Sequence, residues 1–493
     1  MSRRPHRRRP VSTAAPKATT VLAAMPHARW MAYEVLTEFD QSRPTADDDD
    51  QHSAPQLTRL MLTPLTRLAP VPDQERRLAG ELIRGIVRRR ATLAAILEKF
   101  VSRPRANIED GLWRLLELGT YQLVLLSGIP PHAAVSETVL LTKQIGKPQW
   151  AGFLNGVLRN IGRELTTDVE EQPTRQGVPL VGSPSEAASI RYRQMASDIF
   201  PDPQAEPADY LAAAFSFPNW LVESWLSRYG WDEALRLAAW FNSPGQTTLR
   251  VNLLQSDRNR LLALLADNGI EASPGDVPTA IRLSKPMAIE TLPGYQAGWF
   301  SVQDESAQQV ASLLDPQPGE RILDLCAGPG GKTTHLAERM GNAGEVAACD
   351  IWSIRIRSII DNRDRLGLTC IQEHTIAADG ERTPDGPFDA ALVDVPCSNT
   401  GVLGKRPDVR WRIGPRDLTE LPELQARLLR TAIERVRSGG RIVYSTCSIE
   451  PQENEQLVRR VLQSTPGLKL IREQHHRPGF PGDGGYQSLL HRT

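Results

Sequence analysis

Beyond residue 302 the chain alternates short apolar runs with helical segments, and few folds accept that rhythm. RILDLC (321–326), GEVAACD (344–350), FDAALVDVP (388–396) and GRIVYSTC (440–447) read as strands. KTTHLAERM, the region around 353–366 and LPELQARLLRTAIERVRSG read as the helices between them. Strands that are apolar on both faces must be covered on both faces, so the pattern predicts a doubly wound parallel sheet. An α/β Rossmann-like domain over 301–493 follows. Ligands of such sheets bind at the carboxyl ends of the strands.

The first strand runs into DLCAGPGGKTT. Gly328, Gly330 and Gly331 let the backbone approach a ligand, and the following helix offers its N-terminal N–H groups. The Walker phosphate loop would need glycine where Cys326 stands, and the dinucleotide motif would need glycine where Thr333 stands. Asp350 closes the second strand, placed to accept hydrogen bonds from ribose hydroxyls. The ligand therefore reads as a nucleoside without an obligatory pyrophosphate, and S-adenosylmethionine fits. The bland alternative is a tight structural turn with Asp350 as a helix cap.

Of five cysteines, Cys397 in DVPCSNTG and Cys447 in YSTCS fall just past strands, on that same edge. Cys349 and Cys370 read as small buried hydrophobes. No C-x-x-C pair occurs, so neither a disulfide framework nor a cysteine zinc site is expected, and no metal. A helix expected to start after Cys447, with Pro451 in its first turn, would favour a thiolate there, while Glu450 and Glu453 would oppose it. A thiolate beside a methyl donor suits cytosine. Its addition to carbon 6 makes carbon 5 enamine-like, and carbon 5 can then attack a sulfonium methyl. Asp394 is near enough in sequence to Cys397 to hydrogen-bond ring nitrogen 3, and a base must take the carbon 5 proton. These residues alone do not rank the two cysteines.

Upstream, helical patterns dominate 28–165 and predict a compact all-helical domain. Residues 166–209, rich in Pro, Gly, Ser and Glu, read as a linker or insertion. A small α+β segment is expected over 210–300. Residues 1–27 form a basic tail with Arg3, Arg4, Arg7, Arg8 and Arg9. A disordered tail is the simplest reading, with a transit peptide or an RNA-binding arm as alternatives. Formal net charge is zero, so attraction to phosphate must come from local patches. Two candidates are Arg84, Arg88, Arg89 and Arg90, and GKRPDVRWR with Lys405, Arg406, Arg410 and Arg412 around Trp411. No apolar run of about 18 residues occurs, so no membrane span is expected.

DLCAGPGGK, DVPCSNTG and STCS together resemble the RNA cytosine carbon-5 methyltransferases, the Sun/Fmu or NSUN-like superfamily. IPPHAAVSETVLLTKQIGKPQWAGFLNGVLRNI resembles a NusB-like RNA-binding domain, and FPNWLVESWLSRYG with TLRVN the family's middle domain. The resemblance implies an S-adenosylmethionine loop of Cys326, Ala327, Gly328, Pro329, Gly330, Gly331 and Lys332. It implies Asp350 at the ribose, Asp379 near the adenine, and Asp394 at cofactor and target base. Cys447 would be the nucleophile and Cys397 the cysteine that aids product release. The implied substrate is small-subunit (16S) ribosomal RNA with an unpaired or flipped cytosine, and a cytoplasmic monomer is expected. The same chemistry on transfer RNA or DNA is one alternative, and a non-catalytic RNA-binding assembly factor another. Gly328 stands where the family often has Ala, a harmless change in a glycine loop. Asn399 stands for a small residue, read as adjusting the pocket wall.

Overall fold

The computed structural model describes residues 27–42, 57, 60, 61, 71–182, 189–378, 380–479 and 482–493. The arginine-rich tail and Asp379 lie outside these residues. Two compact units emerge: one holds the described residues up to 86 together with 97–164, the other 87–96 and 165–493. The residues up to 164 form the helices α1 (His27–Gln41), α2 (Asp73–Arg88), α3 (Arg90–Phe100), α4 (Asp110–Leu125), α5 (Pro131–Gln144) and α6 (Ala151–Glu164). Every residue of α4 from Leu112 to Val124 is buried, and its polar side chains are paired there, Arg114 with Asp40 at 2.9 Å and Gln122 with Arg29 at 2.7 Å. None of the helices among the described residues is long and apolar enough to cross a membrane.

The stretch 166–209, expected as a linker, carries a sheet. β1 (Leu165–Glu170), β2 (Gly177–Val181) and β3 (Ile190–Met195) pair antiparallel in the order β1-β3-β2. Gly177 and Pro179 lie within β2 itself, and a few buried side chains, Val178, Tyr192 and Met195, supply the apolar face. Next come α7 (Pro207–Phe215) and α8 (Asn219–Asn242), the latter broken at Gly230. A four-stranded sheet follows from β4 (Thr248–Val251), β5 (Ala272–Pro274), β6 (Ala280–Leu283) and β7 (Phe300–Val302), ordered β5-β6-β4-β7. Helix α9 (Arg258–Asp267) closes its core through Leu261 and Leu265 against Leu249, Ile281 and Phe300.

The remaining chain forms α10 (Glu305–Leu314), β8 (Arg321–Leu325), α11 (Gly331–Arg339), β9 (Glu345–Asp350), α12 (Ser353–Leu366), β10 (Ile371–Thr375), β11 (Phe388–Asp394), α13 (Asp417–Arg435), β12 (Val436–Thr446), α14 (Glu455–Ser464), β13 (Leu468–His476) and β14 (Gly485–Arg492). The sheet order is β10-β9-β8-β11-β12-β14-β13. The first five strands are parallel, and β14 runs antiparallel to both its neighbours. The sheet is therefore mixed. LKLIREQHH is too polar to read as a strand, which suits the edge position it takes. Chain direction across the sheet reverses between β8 and β11, and there the strand ends open a crevice. Val393 pairs with Leu325 and Asp394 with Ser445, so residues 326, 395–397 and 447 emerge side by side.

Arg250 on β4 is fully buried and reaches α11. It pairs with Glu338 at 2.6 Å and donates to Gln303 Oε1, to Thr334 Oγ1, and to the Gly331 carbonyl at 2.6 Å. Burial pushes the Glu338 carboxyl up, against the pull of Arg250.

Candidate active site

The loop after β8 is held from below. Asp350 accepts from the Gly328 N–H at 3.0 Å and from the Trp352 N–H at 3.1 Å. Asp350 is itself buried and also pairs with Arg355 at 3.8 Å. Gly328 is not a neutral replacement for alanine: a Cβ there would lie 2.5 Å from Arg355 Cβ and 2.7 Å from Asp350 Oδ2. Gly331 opens α11 with free space above its Cα. The N-terminal N–H groups of α11 and the unfilled space beside them fit a nucleoside ligand. Burial and three nearby carboxylates push the Cys326 thiol well up, which leaves it a wall rather than a nucleophile.

Asp324, beneath the loop, escaped the sequence reading. It is fully buried and accepts from Thr333 Oγ1 at 2.6 Å. Burial lifts its carboxyl to about 7, and the Thr333 hydrogen bond only partly opposes this. The unfolded group ionises near 3.8 and the folded one near 7, so its contribution to stability declines as pH rises between them. Asp324→Asn should narrow the difference in urea midpoint between about pH 5 and about pH 8. An unchanged difference contradicts this.

The two strand-end cysteines meet, with Cys397 Sγ 3.2 Å from Cys447 Sγ. The Cys397 loop is anchored from behind by Glu453, a fully buried carboxylate. Glu453 accepts from the Ser398 N–H at 2.8 Å, from Ser398 Oγ–H and from Gln425 Nε2 at 2.8 Å. Ser398, Thr400 and Ser448 form a buried hydroxyl cluster between the loops. Gly401 N–H donates to the Cys447 carbonyl at 3.0 Å. A Cβ on Gly401 would lie 2.5 Å from the Gly484 carbonyl oxygen and 2.9 Å from that of Cys447, so these three segments meet only over glycine.

Electrostatics separate the thiols. The hydrogen bond from Cys397 draws Cys447 below the usual thiol range; burial opposes it, Arg406 and Lys332 assist, and Asp394 opposes. Cys397 moves well up, by donating that bond, by burial, and by the charges of Cys447 and Glu453. The helix expected to begin just after Cys447 begins at Glu455 instead, so no helix N-terminus carries this effect. Glu450 is tied to Arg228 at 2.8 Å.

Asp394 lies 2.7 Å from Lys332 Nζ. Burial pulls Lys332 down, but Asp394 more than offsets it, and the ammonium is held above its ordinary value. The strand edge thus presents a thiol pair, an ammonium and a carboxylate beside the glycine loop.

The basic patches are mostly structural. Arg410 is fully buried, lies 4.1 Å over the Phe217 ring, and donates to the carbonyls of Arg88, Ser216, Phe241 and Leu403. Lys405 is held between Asp304 at 2.7 Å and Asp483 at 2.8 Å. Arg412 pairs with Asp408, and Trp411 donates to the Val87 carbonyl. Arg88 and Arg89 are buried and donate to the carbonyls of Gly404 and Pro179. Arg406 stays exposed at the rim and donates to Asn399 Oδ1 at 2.8 Å.

Comparison with known proteins gives three family matches in chain order. Residues 26–163 match the NusB family, 217–290 the ferredoxin-like domain of RsmF/B-like methyltransferases, and 311–483 the 16S rRNA methyltransferase RsmB/F family. The probable ribosomal RNA small subunit methyltransferase B of Synechocystis is 38% identical, over 83% of this chain and 91% of its own. The Bacillus subtilis protein of that description is 35% identical, over 88% and 91%. Among solved structures, PH0851 superposes with a TM-score of 0.73 at 22% identity, covering 95% of this chain and 99% of that one. NSun6 from Pyrococcus horikoshii, solved with an S-adenosylmethionine analogue, gives 0.52 at 21%, over 56% and 98%.

Proposed function

This chain belongs to the ribosomal RNA small subunit methyltransferase B family, and from that premise we propose that it methylates carbon 5 of a cytosine in 16S ribosomal RNA through a covalent Cys447 adduct. Its cofactor is S-adenosylmethionine, which supplies an electrophilic methyl group when bound. The glycine loop, the α11 N-terminus and Asp350 would hold it.

The observation that carries the reading is the thiol pair at 3.2 Å beside Lys332 and Asp394. Cys447, the sulfur drawn toward thiolate, adds to carbon 6, forming the S–C6 bond and leaving carbon 5 electron-rich. Lys332 and Asp394 offer the base a donor and an acceptor while that charge develops. Once carbon 5 carries the methyl group, a base takes its proton, the C5–H electrons re-form the C5–C6 double bond, and the S–C6 bond breaks; the departing Cys447 thiolate accepts a hydrogen bond from the Cys397 S–H. That donor makes Cys447 a better leaving group and gives Cys397 its part in release. The target cytosine has to leave its stack for Cys447 to reach carbon 6.

Purified protein with labelled S-adenosylmethionine should transfer label to small-subunit ribosomal RNA in preference to transfer RNA or DNA fragments. Nuclease digestion should yield 5-methylcytidine. RNA binding without label transfer, or label on another atom, overturns the proposal.

A further inference from the structure

We infer that Arg406 is a phosphate-binding residue that takes the phosphodiester on the 5′ side of the target cytidine. The inference rests on Cys447 adding to carbon 6. The other cations of GKRPDVRWR are committed elsewhere: Lys405 to Asp304 and Asp483, Arg410 to backbone carbonyls, and Arg412 to Asp408. Lys332 is held by Asp394. Arg406 is exposed, and among the described residues no carboxylate pairs with it. Its Nη1 donates to Asn399 Oδ1 at 2.8 Å, which leaves most of its N–H donors for a ligand.

The guanidinium is fixed beside the nucleophile. Asn399 Oδ1, which accepts from Arg406, also lies 3.2 Å from Cys447 Sγ, so one oxygen atom stands between the cation and the sulfur. Asn399 is held in turn, at φ 58°, by its Nδ2 donating to the Cys397 carbonyl at 2.6 Å. The Arg406 N–H donates to the Val402 carbonyl at 2.9 Å, and the preceding Lys405 is locked between two carboxylates. The cation is therefore in place before RNA arrives, which spares the cost of ordering it on binding. Carbon 6 then selects the phosphate. In a pyrimidine nucleotide of ordinary anti geometry, carbon 6 is the ring carbon that faces the 5′-oxygen of its own sugar. A sulfur placed to attack carbon 6 has that nucleotide's 5′ phosphate close by, and Arg406 is the uncommitted cation beside that sulfur. Its planar fork suits a phosphodiester. Such a contact reads no base; it holds the nucleotide by its backbone and offsets part of the cost of drawing the base from its stack.

The test uses the small-subunit RNA fragment that accepts label, resynthesised with one phosphate at a time replaced by a neutral methylphosphonate. With the full, unaltered chain, replacement just 5′ of the labelled cytosine should lower kcat/KM by about tenfold. With Arg406→Gln the same replacement should cost less than about twofold, because the charge it would have met is gone. Replacement on the 3′ side should cost both chains alike. In binding alone, Arg406→Gln should flatten the plot of log affinity for this RNA against log salt by about 0.7–0.9 and leave the Kd for S-adenosylmethionine unchanged. Arg406→Lys should keep the salt slope and recover only part of kcat/KM, because an ammonium supplies charge without a planar fork. Equal losses from the 5′ replacement in both chains overturn the inference. So does an unaltered chain indifferent to that replacement, even if Arg406→Gln fails to fold. Weaker cofactor binding by Arg406→Gln with an unchanged salt slope also overturns it, and would give Arg406 to the cofactor carboxylate. Absence of methyl transfer by the unaltered chain overturns the reading beneath the inference, whereas intact transfer without a 5′ effect overturns the inference alone.

Discussion

Cys447→Ala should abolish methyl transfer, lowering kcat by about 10⁴-fold or more, because the covalent route has no other sulfur placed to open it. Cys397 cannot take over. It is the donor of the pair, and its anion would form against buried Glu453. Cys397→Ala should fail differently. Cys447 can still add to the base, but its departing thiolate has lost the S–H that stabilises it. RNA should then accumulate as a protein adduct that survives a denaturing gel. An adduct trapped by Cys447→Ala and absent from Cys397→Ala would reverse the assignment. Binding of S-adenosylmethionine should persist in both variants, since neither cysteine holds the glycine loop.

Arg250→Ala should be the most damaging change away from the thiols. It strands Glu338, a buried carboxylate, leaves Gln303 Oε1 without its donor, and leaves the Gly331 carbonyl to the Thr334 hydroxyl. Breaking one side of a buried pair costs about 3–5 kcal/mol. Urea denaturation followed by tryptophan fluorescence should register that loss. The double change Arg250→Met with Glu338→Leu should recover a large part of it, because no buried charge is left unpaired. A single-variant loss below about 1 kcal/mol would show that the pair is not desolvated as its burial implies. Arg250 lies outside the methyltransferase sheet, yet it grips the residue that opens α11. Weaker cofactor binding should therefore accompany the lost stability.

The parallel half of the sheet, the glycine loop and the placement of both cysteines at strand ends were legible, because each follows from local pattern. Apolar runs of strand length separated by helices admit few arrangements, and Asp350 and Asp394 end the strands that those runs predict. What escaped depends on partners far apart in the chain. Arg410 reads as a surface cation until carbonyls from residues 88, 216 and 241 close around it. Glu453 reads as an acid opposing a thiolate at Cys447, but it lies behind Cys397 and holds that loop. The ranking of the thiols depends on their contact with each other and on Arg406, Lys332 and Glu453, charges that distant stretches of the chain bring around them. The sheet at 165–195 was missed because turn-rich composition hid three short strands with few apolar residues.

The insertion of β14 between β12 and β13 has a consequence for biosynthesis. As the polypeptide emerges, β12 is made about forty residues before its neighbour, and β13 cannot pair with it directly. Until residues 485–492 appear, the strand leading to Cys447 keeps one edge open, and Gly401 lacks its bond from Gly484. A nascent chain interrupted in that interval would carry both cysteines without the strand that fixes them, along with an apolar edge ready to pair with another chain. Catalytic competence would thus wait for residues 485–492, whose strand closes the open edge of β12.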